Sequence, residues 1–267
     1  GGSPTPGRSD WTPGRSRRGP ALAQQLRAQE LTAQGKWAEA IEPLQEHARA
    51  NPSRTRSVID LSRALLMTGN RNEAIAVLIN AAGSRGPKDR AALIRRINAL
   101  TRLFKGNANF QNFQDAVRNF RAGKQTLARE ALQRILEQER DNNEVILAIG
   151  QCYLSDNDLD RAFEFFREAQ KRNPFDPEIK LLLGRVLYRK EKWDEATLLL
   201  LEAMRDAEGS EIGTLWLSQA LVAQGKPGEA EAVLEQHAKA HPLHLEVLLE
   251  RARIRLRNAA TTPVQQP

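Results

Sequence analysis

PEIKLLLGRVLYRKEKWDEATLLLLEAMRDAEGS, residues 177–210, runs directly into EIGTLWLSQALVAQGKPGEAEAVLEQHAKAHPLH, residues 211–244. Each block reads as two short helices joined by a tight turn. In the first, Leu183, Gly184 and Leu187 share one helix, Lys192-Trp193 makes the turn, and Ala196, Leu200 and Ala203 share the second helix. The same slots 34 residues later hold Leu217, Ser218, Leu221, the Gly225-Lys226 turn, Ala230 and Leu234, and the block closes at Pro242. Self-similarity at this period is the mark of a solenoid, in which one helix pair cannot bury its own apolar face and relies on its neighbours.

The frame extends in both directions. With units starting at residues 21, 55, 109, 143, 177 and 211, position 20 is Ala40, Ala74, Ala128, Ala162, Ala196 and Ala230. Position 8, where two helices must approach closely, is Ala28, Ser62, Ala116, Gly150, Gly184 and Ser218. Position 24 is Leu44, Leu78, Leu132, Phe166, Leu200 and Leu234. Small residues at the crossing and a bulky apolar residue one turn further on are what close packing demands. Pro52, Pro174 and Pro242 stand at position 32, where the chain leaves a helix. The pattern resembles the tetratricopeptide repeat family over roughly residues 21–257. The resemblance implies an all-α fold, a right-handed solenoid of antiparallel helix pairs whose concave groove binds a peptide or protein without catalysis.

The expected organisation follows from the register. Residues 1–20 form a basic tail rich in proline and glycine, with Thr-Pro-Gly-Arg-Ser repeated at 5–9 and 12–16; such a segment cannot build a core and is expected to be disordered. Units occupy 21–54, 55–88, 109–142, 143–176, 177–210 and 211–244, a capping helix 245–257, and a disordered tail 258–267. Between Ala74 and Ala128 the frame slips by twenty residues, so 89–108 is an insertion or a decayed repeat. Its Leu93, Ile97, Leu100 and Phe104 recur at helical spacing and predict one unpaired amphipathic helix able to offset the solenoid or let it flex. The charges on the last helix, among them Glu246, Glu250, Arg253 and Arg257, suit an end that meets solvent.

Composition narrows the function. At 267 residues and 40% hydrophobic the chain can bury a large interior, yet only 5% is aromatic, which suits stacked helix pairs better than one central core. The one cysteine, Cys152, excludes an intramolecular disulfide and reads as a packing residue. No apolar run reaches the length of a membrane span. Ala21-Leu22-Ala23 after Arg17-Arg18 imitates a signal-cleavage site, but no apolar segment precedes it and no cleavage is expected there. Cytoplasm and cell envelope both stay open, and a bacterial source is expected.

Several patterns imitate chemistry. Asp156, Asp158 and Asp160 begin like a calcium loop, but Arg161 and Arg167 stand where that loop needs glycine and glutamate. His237, His241 and His244 have a spacing that could suit zinc; His47 repeats His237 at position 27, however, and Pro242 breaks the helix before His244. The Gly-Lys pairs at 35, 123 and 225 lack the flanking residues of a phosphate loop and read as turns. No nucleophile and base stand at motif spacing. No catalytic residue, cofactor or metal is therefore expected.

The charge is uneven, +11 over residues 1–142, −6 over 143–244 and +2 over 245–267, within a net +7. The basic half leaves a second reading open, an anion- or nucleic-acid-binding module using Arg90, Arg95 and Arg96. In the family the first helix of each unit lines the groove. Carrying those positions over gives a candidate partner groove of Gln29, Arg63, Gln151, Leu154, Arg185, Tyr188, Arg189, Trp216 and Gln219. Tyr188 and Trp216 would anchor a peptide there, or else pack between helices. The clamp by which some relatives hold a C-terminal carboxylate needs lysines and asparagines that no three consecutive units here supply.

Overall fold

Residues 18–206 and 209–261 are described by a computed structural model. Among them are fourteen α-helices and no strand: α1 (Arg18–Ala33), α2 (Trp37–Ala50), α3 (Thr55–Met67), α4 (Arg71–Gly83), α5 (Pro87–Thr101), α6 (Asn107–Arg121), α7 (Gln125–Gln138), α8 (Asn143–Ser155), α9 (Leu159–Arg172), α10 (Pro177–Arg189), α11 (Trp193–Asp206), α12 (Glu211–Ala223), α13 (Pro227–Ala240) and α14 (Leu245–Thr261). Residues 1–17 and 262–267 of the two expected tails lie outside the described residues. Helix α1 starts three residues before the first unit boundary, and α14 runs four residues past 257. The chain divides into two units within α4, between Val77 and Leu78.

In the first unit α1 packs on α2 and α2 on α3. In the second, each helix from α6 to α14 packs on its neighbours in sequence, with α10 also reaching α12 and α12 reaching α14, which is solenoid stacking. The register explains the packing. Helices α2, α4, α7, α9, α11 and α13 all start at position 17 of their units, and the alanine at position 20 is 0% exposed in every one. Leu78, Leu132, Phe166, Leu200 and Leu234 at position 24 are likewise sealed. Each such side chain contributes about 1.5–3 kcal/mol by leaving water. Position 8 must stay small for a measurable reason: a Cβ on Gly150 would lie 2.5 Å from the Phe166 ring, and one on Gly184 2.7 Å from Leu200 Cγ.

Turns and caps hold the register. Position 15 has positive φ in all six turns, those after α1, α3, α6, α8, α10 and α12, including Asn157 at 62° and Glu191 at 60°. The three Gly-Lys pairs are therefore turn chemistry, with glycine supplying a left-handed backbone that other residues adopt at a cost. Asn142, Asp158, Asp176 and Ser210 accept the backbone N–H of Glu144, Arg161, Glu178 and Gly213, capping α8, α9, α10 and α12.

Helix α5, in the segment expected to form one unpaired helix, lies against α11. Leu93, Ile97 and Leu100 on its inner face are buried. At one end Arg90 donates to the carbonyls of Ala82 (3.0 Å) and Arg85 (2.7 Å), pairs with Asp206 at 3.2 Å, and lies over the Phe175 ring. At the other end Arg102 reaches Asp176 and Glu178, both at 2.7 Å, and Glu144 at 3.2 Å. Between them Asn173 bonds Asn98. Glu139 accepts from the Lys105 backbone N–H and from Asn109 Nδ2, both at 2.9 Å, which fixes the loop into α6.

Candidate functional site

Four first helices of the second unit, α6, α8, α10 and α12, enclose a hollow of about 640 Å³. Gln151 and Leu154 of α8, Arg185 and Arg189 of α10, and Trp216 of α12 meet there, with Phe120, Leu181 and Ile212 completing the apolar wall. The helical spacing of four places Arg185 and Arg189 on one face of α10. The Arg185 guanidinium sits 4.9 Å from the Trp216 ring centre. Arg185 is exposed, and it has no carboxylate partner among the described residues. Desolvation, then the like charge of Arg189, hold it below the ordinary arginine pKa. Arg189 is already committed, donating at 2.7 Å to both the Leu154 carbonyl and Asn157 Oδ1. The site thus offers a cation on an aromatic plate beside apolar walls.

The other expected groove residues fall elsewhere. Tyr188 is half-buried and packs on the cluster of Leu200, Leu217 and Leu221. Trp216 touches that same cluster while lining the hollow. Gln219 is half-buried outside the hollow's lining. Gln29 and Arg63 belong to the first unit and are exposed, with Arg63 over the Trp37 ring at 5.5 Å.

A larger hollow of about 920 Å³ was not foreseen. It lies among the second helices α11 and α13, closed by Gly86 and Asp89 next to α5 and lined by Leu201, Met204, Val233, His237 and His241. No single-sequence pattern announces it, because it forms where the start of α5 meets residues more than a hundred positions away.

The imitated motifs resolve into structure. Asp156 is bonded by Arg129, Asp160 by Lys190, and Asp158 caps α9, so the three carboxylates do not converge. His237 Nδ1 meets the Thr214 hydroxyl and its Nε2 meets His244 Nδ1, both at 2.8 Å, while His241 stacks on His244. Among the described residues no group of ligating side chains is arranged to hold a metal ion. Burial first, then the nearby His241 and His244, hold the His237 imidazole below its usual pKa, against the weaker pull of Glu211. The folded state therefore resists a proton that the unfolded chain accepts near pH ~6.5. Stability conferred by neutral His237 is present above that pH and is lost as pH falls below it. The melting temperature is expected to drop between pH 7 and 5, and a His237→Gln variant to show a flatter profile by calorimetry. Cys152 is buried, and burial pushes its thiol up to about 11, which makes it inert as a nucleophile.

Comparison with known proteins agrees with the helix-pair geometry. The sequence model described as tetratricopeptide repeat matches residues 211–254, the block whose 34-residue register the structure displays. Residues 211–254 are thus a tetratricopeptide repeat, set in a solenoid of stacked helix pairs. A second model, described as anaphase-promoting complex, cyclosome, subunit 3, matches residues 124–203, and a third, described as bacterial transcriptional activator domain, matches 15–82. No curated protein matches this repeat protein in sequence. Among solved structures it is similar to a chain of the APC/C hetero-tetramer Cut9–Hcn1 (14% identity, TM-score 0.47), covering 86% of this chain and 42% of that one. It thus spans about two fifths of that relative's length. It is also similar to pilF of Pseudomonas aeruginosa (14%, TM-score 0.43, 90% and 100% covered). A third is the first repeat domain of Spaghetti (RPAP3) bound to an HSP90 peptide (19%, TM-score 0.41, 44% and 95% covered). Among the described residues no helix is long and apolar enough to cross a membrane.

Proposed function

We propose that this repeat protein is a non-enzymatic scaffold that takes a peptide segment of a protein partner into the hollow between α8, α10 and α12. The observation that carries this reading is Arg185 lying on Trp216 in the lining of a largely apolar hollow, with no carboxylate paired to it among the described residues, since Glu178 of the same lining is held by Arg102. Binding energy at protein interfaces concentrates in such aromatic and arginine anchors. The repeat family supports the reading, and the bacterial transcriptional activator match over residues 15–82 supports a bacterial source. Gln151, which also lines the hollow, can pair with a peptide backbone, and exposed Ile212 adds apolar contact. The extension of the site to Tyr188 on α10 and Gln219 on α12 is part of the same proposal.

The basic-surface alternative loses residues to the fold. Arg90 and Arg102 are held by Asp206, Asp176, Glu178 and Glu144, which leaves Arg95 and Arg96 of the α5 set without a carboxylate partner among the described residues.

The test is calorimetry on a partner recovered by pull-down and mass spectrometry. Arg185→Ala and Trp216→Ala are each expected to weaken binding by roughly 1–3 kcal/mol. Arg161→Ala and Arg167→Ala on α9 should leave it unchanged. Full affinity in both hollow variants, with binding lost on Arg95→Gln/Arg96→Gln and steeply dependent on salt, would reject the hollow in favour of an anionic partner.

A further inference from the structure

Helix α14 buries one apolar row against the stack and turns a second one outward. Val247 and Ile254 are 0% and 3% exposed against the stack, while Leu245, Leu249 and Leu256 on the far side are 67%, 51% and 73% exposed, with Ala252 exposed between them. At 3.6 residues per turn these four outward residues fall within about 60° of arc, diametrically opposite the buried pair. The spacing of four, three and four is a helix-pairing seam, not a scatter of surface leucines. The inner flank is already committed, since Arg251 pairs with Glu235 at 2.9 Å and Arg255 with Glu231, both on α13.

The seam's own charges say what fits it. Glu246 near the start of α14 is exposed and has no partner among the described residues. Arg253, one heptad on and on the same flank, is 68% exposed and makes only a local pair with Glu250. We infer that the outward face of α14 joins two copies of this chain, helix against helix and antiparallel, through Leu245, Leu249, Ala252 and Leu256. Placing the two-fold axis beside residues 250 and 251 sets Leu245 against Leu256 of the other copy and Leu249 against its Ala252. That is a large residue opposite a small one at the centre, where the axes approach most closely. The same placement drops Glu246 beside Arg253 of the other copy, twice over by symmetry. A parallel pairing would instead put Glu246 and Arg253 of the two copies on opposite sides of the seam and form neither ion pair.

Sedimentation velocity on the full chain from about 1 to 500 µM tests this. One helix pair buries less than a standard interface of roughly 1,600 Å², so a reversible monomer–dimer equilibrium within that range is expected. Leu249→Glu should raise the dissociation constant at least about tenfold, because it puts two like charges in the seam centre. Its far-ultraviolet circular dichroism should stay native, since Leu249 faces away from the stack. Glu246→Arg and Arg253→Glu should each weaken the dimer several-fold, and the double variant should restore it, since the swapped charges again alternate across the axis. A chain that stays monomeric throughout, or a dimer indifferent to Leu249→Glu, overturns the inference. So does binding of the monomer to phosphatidylserine vesicles that is lost in the same variant, which would assign the seam to a lipid surface.

Discussion

Ala196→Asp is expected to cost more than about 4 kcal/mol and to lower the thermal midpoint by roughly 10 °C or more. Ala196 is 0% exposed at position 20 of its unit, in α11 where it crosses α10. Its carbonyl lies only 3.5 Å from where a Cβ on Gly184 would stand, and Leu200 fills the next turn. An aspartate there has neither room nor a cation. The chain must either bury an unpaired carboxylate or separate the two helices. Because stability in stacked repeats is passed between neighbours, the loss should concentrate in α10, α11 and α12, where amide exchange is expected to accelerate first. Leu198→Asp, two residues away and 61% exposed, is the control and should change little. A midpoint unmoved by Ala196→Asp would refute the register itself.

The register was legible because it rests on residue size at fixed intervals. A 34-residue period of small residues at positions 8 and 20 has few physical causes, and the six alanines at position 20 all prove fully buried. The hollow was half legible. Gln151, Leu154, Arg185, Arg189 and Trp216 follow from a face rule, whereas the inward lean of Tyr188 depends on how α10 sits against Leu217 and Leu221. Two features were not legible. Four arginines at 90, 95, 96 and 102 look like a basic face until the partners of Arg90 and Arg102 are known, and those carboxylates stand 42 to 116 residues further along the chain. The outward leucines of α14 were hidden differently: its many charges suggested a solvated cap, and only the helix phase separates the leucines from them.

Arg102→Ala should be the costliest change at a charged position, on the order of 3–5 kcal/mol near neutral pH. Asp176 is 1% exposed, caps α10 through the Glu178 N–H, and accepts a 2.7 Å bond from Arg102, so one carboxylate ties α5 to the start of a repeat. Burial opposes the charge of Arg102, but the fields of Asp176 and Glu178 and their hydrogen bonds outweigh it and raise its pKa above the ordinary arginine value. Burial also pushes the Asp176 carboxyl above its usual value, and Arg102 is the main force pulling it back. Deleting the guanidinium removes that restraint, so Asp176 in the variant should titrate higher still. The sign of the pH dependence follows. A carboxyl whose folded pKa exceeds its unfolded value near ~3.9 is best tolerated when protonated, so its penalty is complete above the folded pKa and fades as pH falls through it. Denaturant unfolding of the variant and the parent at pH 7.5 and 4.5 should therefore show a gap that narrows at the lower pH. Arg102→Ala/Asp176→Asn should recover part of the loss at pH 7.5 by removing the stranded charge while keeping a side chain that can cap α10. A gap that widens on acidification, or no gain in the double variant, would show that α5 is held by its apolar face and not by this ion pair.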